Sequence, residues 1–205
     1  YGFLTLPDGA MSSRKGNLVR FEELRDTILE AATKETRERH NDWSEKEVRD
    51  TAMGIGHAAM IYAMAKQDSA KDIVFNIDEA IAFEGMSGPY LLYSISRIES
   101  LMNSAKVKPN VDGSVIDSPE ARDLVNMLAK YPETVLDSAS FMRLADVPQY
   151  AFELAQSFSS YYAAHRVIDD ENPEVTAARL ALVGAVLVTL KNALGIMNIK
   201  PVTHM

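Results

Sequence analysis

Four stretches of the chain carry the residue patterns with which α-helices begin. Ser44 is followed three residues later by Glu47, which is the spacing of a capping box. Ser118 and Asn172 each stand directly before a proline, and Pro89 opens a fourth periodic stretch. Because the residues after each signal place apolar side chains every three or four positions, the sequence predicts an all-α fold.

The predicted helices form two groups. Residues 18–82 begin with an amphipathic helix, continue with the helix that Ser44 caps, and include a short extended segment at 73–75. The apolar face of the first helix is formed by Leu18, Phe21, Leu24, Ile28 and Leu29. Residues 83–205 are predicted to form a bundle of about five helices, which start at the sequences SGPYLL, SPEARD, PETVLD, VPQYAF and NPEVTA.

The composition excludes several kinds of chemistry. The chain has no cysteine, so disulfides, thiol catalysis and cysteine-ligated zinc are absent, and a reducing cytoplasm is compatible with it. No two histidines are spaced four residues apart, so we expect no metal site; they are His40, His57, His165 and His204. The 21 basic and 29 acidic residues give a net charge of -8, which disfavours a nonspecific nucleic-acid binder but allows a local basic site.

The most apolar segment, LALVGAVLVTL at 180–190, lies between Arg179 and Lys191. It is shorter than the roughly 20 residues that a helix needs to cross a bilayer. We therefore expect a buried core helix and no membrane partner. The first residues, YGFLTLPDG, contain no initiator methionine, basic stretch or long apolar segment, so no secretory signal is visible and the start looks truncated.

The helix that begins near Pro89 has two distinct faces. One is an aliphatic stripe, formed by Leu91, Ile95, Ile98 and Met102. Since successive residues rotate by about 100°, Tyr90, Tyr93 and Arg97 fall on another face. Two aromatic rings and a guanidinium in line suit the stacking of flat bases and the binding of phosphate. Alternatively, the tyrosines cover a second core surface and Arg97 forms an ion pair.

A second aromatic cluster lies in the sequence FSSYY. Phe158 and Tyr162 share one helix edge, so at least one of them is expected in the core, whereas Tyr161 points elsewhere. The acidic run DDEN at 169–172 indicates a solvated loop that does not contact phosphate.

The stretch LPDGAMSSRKGN at 6–17 differs from the rest of the chain. Between two turns it holds two hydroxyls, one guanidinium and one ammonium in four consecutive residues. Such a loop can donate many hydrogen bonds to one polyanion, although a basic loop of this length is also typical of a solvated surface turn.

This stretch resembles the KMSKS loop of class I aminoacyl-tRNA synthetases, in the form M-S-[ST]-R-K-G-N of the arginyl-tRNA synthetase family. The sequence FEGMSGPYLLYSISRIESL at 83–101 is similar to the same family's F-[ED]-G-x-[ST]-[GA]-P-Y-L-x-Y-x-x-x-R signature. Four more stretches match in order and spacing, so the resemblance covers nearly the whole chain; they are GIGHAAMIYAMA, DIVFNID, YAFELAQSFSSYYAAHRVI and ALGIMNIKPVTHM.

The resemblance implies that the opening loop closes over the phosphates of ATP, which carries Mg²⁺ in the intact enzyme. The ATP-binding residues would be Met11, Ser12, Arg14, Lys15 and Gly16. The catalytic residues would be Ser12, Ser13, Arg14 and Lys15. They would stabilise the charge that moves onto pyrophosphate when the arginine carboxylate attacks the α-phosphate. Ala10 and Ser13 stand where the two lysines of the KMSKS pattern fall, so Arg14 or Lys15 would supply the missing charge.

The same family places its HIGH motif and nucleotide-binding sheet before this loop, and neither has an equivalent in the chain. GIGHAA at 54–59 follows the loop inside a predicted helix. The resemblance therefore implies the C-terminal part of a longer enzyme. It would contain the end of the catalytic domain at 1–17, connecting helices at 18–82 and the DALR anticodon-binding bundle, a class Ia fold, at 83–205. This part alone is expected to be inactive and to hold no cofactor.

The resemblance also implies a partner, tRNA(Arg), bound by Tyr90, Tyr93, Arg97, Tyr162 and Met205. Two other functions stay open: a free-standing tRNA-binding helical module, and a helical protein-interaction domain in which the tyrosines contact a protein. We expect a cytoplasmic monomer that does not bind DNA.

Overall fold

Seven helices and one pair of short strands form the part of the chain that this computed structural model describes, which is residues 4, 5, 7, 20–68, 70–111, 117–202 and 205. The strands β1 (Leu4–Thr5) and β2 (Ile73–Val74) pair in parallel. The helices are α1 (Phe21–Arg39), α2 (Glu45–Ala65), α3 (Ile77–Ile81), α4 (Gly88–Ser104), α5 (Pro119–Phe141), α6 (Asp146–Ala164) and α7 (Pro173–Ile196). The predictions of an all-α fold and of an extended segment near 73–75 are confirmed.

Helices α1 and α2 pack against each other and are joined by a short turn at 40–44. Helix α2 begins as predicted, since the Glu47 backbone N–H donates to the Ser44 hydroxyl at 3.3 Å and the Ser44 backbone N–H donates to the Glu47 carboxylate at 2.9 Å. Leu24 and Ile28 of the predicted apolar face are buried. Phe21 is 61% exposed, because it is the first residue of α1 and lies beyond the part of the helix that is buried.

Helix α5 corrects the prediction of about five helices in the second group, whose described residues form four. Pro132 was expected to start a new helix, but it lies inside α5. A proline removes one backbone hydrogen bond from a helix interior, yet α5 continues through Pro132 to Phe141. Before the proline, Leu124 is fully buried and Tyr131 packs against Tyr150 of α6 with ring centroids 5.5 Å apart. Burial raises the pKa of Tyr150 to about 12, and its hydroxyl donates to the Met127 carbonyl at 2.8 Å.

Helix α7 packs against the three other helices of the bundle, α4, α5 and α6. Among the described helices it is the one long and apolar enough, by length and composition, to cross a membrane. Its buried side chains belong to the larger of two apolar clusters, together with residues of α2, α4, α5 and α6; they include Leu180, Val183, Val186, Leu190 and Leu194. The prediction of a buried core helix is confirmed.

The two apolar clusters meet on α2. The larger one joins Ile55 and Tyr62 of α2 to the bundle, and the smaller one joins Met60 of α2 to α1, α3 and Phe75. The Tyr62 hydroxyl donates to the Pro148 carbonyl at the start of α6, 3.1 Å away. The connecting helices and the bundle therefore share a core across the boundary that we place at 82/83.

Helix α4 approaches α2 closely at its first residue, Gly88. A Cβ at this position would overlap the Ala58 carbonyl group and lie 3.0 Å from the Ala59 nitrogen. The turn before α4 is also fixed to α2, because the Lys66 ammonium donates to the Met86 carbonyl at 2.8 Å. Burial lowers the pKa of Lys66. These contacts determine where α4 begins and thus the directions of its side chains.

Candidate nucleic-acid interface

Helix α4 carries three of the residues predicted to bind tRNA, and its aliphatic stripe is buried as expected. Leu91, Ile95 and Ile98 are each at most 1% exposed. Ser87 caps the helix, since its hydroxyl accepts from the Tyr90 backbone N–H at 3.1 Å and donates to the Ala82 carbonyl. The other face of α4 is therefore held in one orientation.

Tyr90 is half-buried between α4 and α6. Its hydroxyl is 3.2 Å from the Ser159 hydroxyl, and its ring meets the Phe152 ring edge-on with centroids 5.7 Å apart. These contacts agree with the alternative interpretation of α4, in which the tyrosines cover a second core surface. Its hydroxyl and one ring edge contact α6.

Arg97 and Tyr162 are brought together by the fold. The Arg97 guanidinium lies over the Tyr162 ring, 4.0 Å from its centroid, and both residues are half-buried. No carboxylate pairs with Arg97 within the described part of the chain. The contact is a cation–π interaction, so the guanidinium is oriented without being neutralised.

The aromatic cluster of α6 divides between core and surface. Phe158 and Tyr161 are each 1% exposed, and Tyr162 is half-buried with its ring centroid 5.9 Å from that of Phe158. The expectation that at least one member of the shared edge lies in the core is confirmed for Phe158. Tyr161 points away from that edge, and it too is buried.

Tyr93 borders a cavity of about 320 Å³. The ring is 40% exposed. The cavity is lined by Thr36, Arg39, His40, Thr51, Ile55, Phe83, Tyr93 and Met205. The Arg39 guanidinium lies 4.3 Å from the centroid of the Phe83 ring and also binds the Glu35 carboxylate at 2.8 Å. Flat rings and an oriented guanidinium around a small cavity can hold one planar, hydrogen-bonding group such as a base.

The C-terminal residues reach this cavity because α7 ends in a sharp turn. Asn198 has φ +58, and its backbone N–H donates to the Gly195 carbonyl at 3.0 Å. The Ile199 backbone N–H donates to the Leu194 carbonyl at 2.9 Å, which completes a Schellman motif. The chain then passes over α2, where a Cβ on Gly54 would overlap Val202.

Tyr93 and Met205 thus line one cavity although they are far apart in the sequence. The sequence pattern of α4 could not predict the other residues that line this cavity. Arg39 and His40 come from the end of α1, where the sequence indicates a charged outer face. Phe83 comes from the turn before α4. The only local signal is the positively charged run RERH at the end of α1.

We expect Tyr90→Ala and Tyr93→Ala to differ in their effect on stability. Tyr90→Ala should lower the free energy of unfolding by about 2 kcal/mol, because it removes the packing against Phe152. Tyr93→Ala should lower it by about 1 kcal/mol or less, since 40% of the residue is exposed and fewer of its contacts are lost. Urea unfolding followed by circular dichroism measures both. Equal losses would show that Tyr93 is also part of the core.

We expect Gly54→Ala to displace the C-terminal residues while leaving the fold intact. The added methyl group overlaps Val202, whereas alanine favours the helix by about 1 kcal/mol over glycine. The free energy of unfolding should therefore change little, and carboxypeptidase Y should release the C-terminal residues faster than from the unaltered chain. Gly195→Ala is the control, since a Cβ there has no neighbour within 4 Å. An unchanged rate of release of the C-terminal residues would mean that the Val202 side chain gives way without moving the backbone.

The loop predicted to bind ATP lies outside the described residues. This applies to Met11, Ser12, Ser13, Arg14, Lys15 and Gly16. Their roles stay predictions.

Comparisons with known proteins agree with the helical bundle. The family model of the DALR anticodon binding domain matches residues 91–205. An arginine–tRNA ligase from Ligilactobacillus salivarius is 34% identical over 206 aligned positions, which cover 100% of this chain and 36% of that protein. One from Borrelia turicatae is 32% identical and covers 97% of this chain and 34% of its own length.

A solved structure has the same fold. The arginyl-tRNA synthetase of Thermus thermophilus superposes with a TM-score of 0.87 and 26% identity over 100% of this chain and 35% of that one. The chain spans about a third of the length of the curated relatives it matches. Since the family model matches more than half of its residues, the chain belongs to the DALR anticodon-binding domain family.

Proposed function

We propose that this chain is the tRNA-binding part of an arginine–tRNA ligase and that its Tyr93 cavity holds an unpaired base of the tRNA(Arg) anticodon loop. The observation that carries the proposal is the convergence of Tyr93, Met205, Phe83 and Arg39 on one small cavity. Sequence-specific RNA recognition depends on such sites, in which a splayed base stacks on a ring and its edge forms hydrogen bonds.

The Arg97–Tyr162 pair, one helical turn further along the same face of α4, supports the same function. A guanidinium oriented over a ring, with no carboxylate partner among the described residues, can bind a phosphate of the loop. The net charge of -8 gives little nonspecific attraction to RNA. Affinity must therefore come from a few local contacts.

The intact enzyme would activate arginine with ATP and Mg²⁺ and transfer it to tRNA(Arg) in the cytoplasm. In it, Ser12, Ser13, Arg14 and Lys15 would face the ATP phosphates. The chain by itself would bind tRNA as a monomer without catalysing either step. These statements rest on the sequence resemblance and on the relatives that the chain matches.

The test is binding of this chain to tRNA(Arg) and to an unrelated tRNA over a series of salt concentrations. We expect a preference for tRNA(Arg), and Tyr93→Ala should weaken that complex about 5- to 100-fold, which corresponds to the loss of one stacked base. The matched control is Phe141→Ala, which removes a 64% exposed ring at the α5–α6 corner and should leave affinity unchanged.

Two results would contradict the proposal. Equal affinity for both tRNAs, unaffected by Tyr93→Ala, would remove the anticodon-binding role. Binding of a protein to the Tyr93 face in competition with tRNA, and more tightly than tRNA, would favour the protein-interaction alternative.

A further inference from the structure

The turn between α1 and α2 carries a second aromatic platform. His40 and Trp43 stack with ring centroids 3.8 Å apart and planes inclined by 10°. Both residues are half-buried, and Trp43 is the single tryptophan of the chain. The stack holds the indole ring in a fixed orientation.

The indole borders a cavity of about 590 Å³ between the first turns of α2 and the C-terminal residues. Its lining is Trp43, Glu47, Asp50, Thr51, Gly54, Lys200, Pro201 and Val202. This volume falls in the range of small-molecule sites.

The Trp43 cavity adjoins the Tyr93 cavity. Thr51 lines both. His40 lines the Tyr93 cavity, and its stacked partner Trp43 lines the other. The two cavities therefore have walls in common at Thr51 and at the His40–Trp43 stack.

The charges around the Trp43 cavity select the chemistry of its ligand. Two carboxylates, Glu47 and Asp50, face one ammonium, Lys200, so a bare phosphate is disfavoured. Glu47 is engaged in the cap of α2 through Ser44. Asp50 is exposed and forms no ion pair among the described residues. A carboxylate accepts hydrogen bonds from the amino groups of adenine, cytosine or guanine, whereas uracil has no amino group to donate.

We propose that the Trp43 cavity binds a second unpaired nucleotide of the same RNA loop, adjacent to the one at Tyr93. Its base bears an amino group, stacks on Trp43 and donates to Asp50, while Lys200 lies toward its phosphate. This inference rests on the proposed function, since it takes its ligand to be the RNA loop that occupies the Tyr93 cavity.

The experiment uses the whole chain and the anticodon stem-loop of tRNA(Arg), in which each loop nucleotide is replaced in turn by an abasic one. Affinity is measured by fluorescence anisotropy of labelled RNA. The emission of Trp43 reports its own site, because the chain has no other tryptophan. We expect RNA to quench this emission and one abasic position to abolish the quenching and weaken binding about 5- to 100-fold.

Variants assign the two positions in a double-mutant cycle. In Trp43→Leu, affinity should no longer depend on the base at that position. In Tyr93→Ala, it should become independent of a neighbouring position instead. Asp50→Asn should reduce the preference for an amino-bearing base over uridine at the Trp43 position. Asp123→Asn removes an exposed carboxylate from α5 and should have no effect.

Each outcome decides the proposal. The second site is overturned, while the proposed function stands, if the RNA binds and Tyr93→Ala weakens that binding, but the RNA does not change the Trp43 emission and Trp43→Leu does not change the affinity. Quenching that is equal for uridine and unaffected by Asp50→Asn overturns the assignment of the base. RNA that does not bind at all overturns the second site together with the proposed function.

Discussion

Replacing Gly88 by alanine is expected to lower the free energy of unfolding by about 3 kcal/mol, the upper end of what overpacking costs. The new methyl group would overlap the Ala58 carbonyl of α2, and its neighbour in that direction is backbone, which cannot rotate away as a side chain can. Helices α2 and α4 must therefore move apart, and the larger apolar cluster spans both of them. Urea unfolding followed by circular dichroism measures the loss.

Gly195→Ala is the matched control for this variant. Its Cβ would have no neighbour within 4 Å, so the higher helix propensity of alanine should raise the free energy of unfolding by up to about 1 kcal/mol. The two substitutions are chemically identical and differ in what surrounds them. If Gly88→Ala were as stable as the unaltered chain, the close approach of α2 and α4 would be disproved.

The positions of helices could be predicted from the sequence where a local signal determines them. Ser44 and Ser118 cap helices through their own side chains, which bind backbone groups three residues away. Pro132 led to the wrong prediction of a new helix because it, too, is only a local signal. A proline ends most helices, but α5 continues through Pro132 after a stretch in which Leu124 and Tyr131 pack against the rest of the bundle, and no local pattern reports that packing.

The surroundings of the candidate site residues also could not be predicted from a local sequence pattern. The helical period places Tyr90, Tyr93 and Arg97 on one face, yet the fold gives them different surroundings. Helix α6 covers Tyr90, and Tyr162 from α6 supports Arg97, whereas Tyr93 meets the C-terminal residue Met205. The period of a helix determines which side chains share a face. It does not determine which distant segment packs there.

Removing the Arg97 guanidinium is expected to weaken the complex with tRNA(Arg) about 10- to 100-fold, because a hydrogen bond to a charged group contributes about 1.5–3 kcal/mol. Arg97→Lys should recover only part of this affinity, since lysine keeps the charge but not the flat group that lies over Tyr162. If the guanidinium binds a phosphate, the slope of log affinity against log salt should also become less steep by about 0.7 to 0.9.

The role of the Arg97–Tyr162 pair is separated from a structural one by a double-mutant cycle with Tyr162→Leu. If the ring acts by orienting the guanidinium, Tyr162→Leu should weaken tRNA binding when Arg97 is present and have a much smaller effect when Arg97 is alanine. Unfolding of the same four chains is the accompanying measurement. A loss of stability in Arg97→Ala with unchanged tRNA affinity and unchanged salt slope would mean that the guanidinium serves the packing of α4 on α6. The face of α4 would then be a second core surface along Tyr90 and Arg97, and recognition of RNA would be left to the Tyr93 cavity.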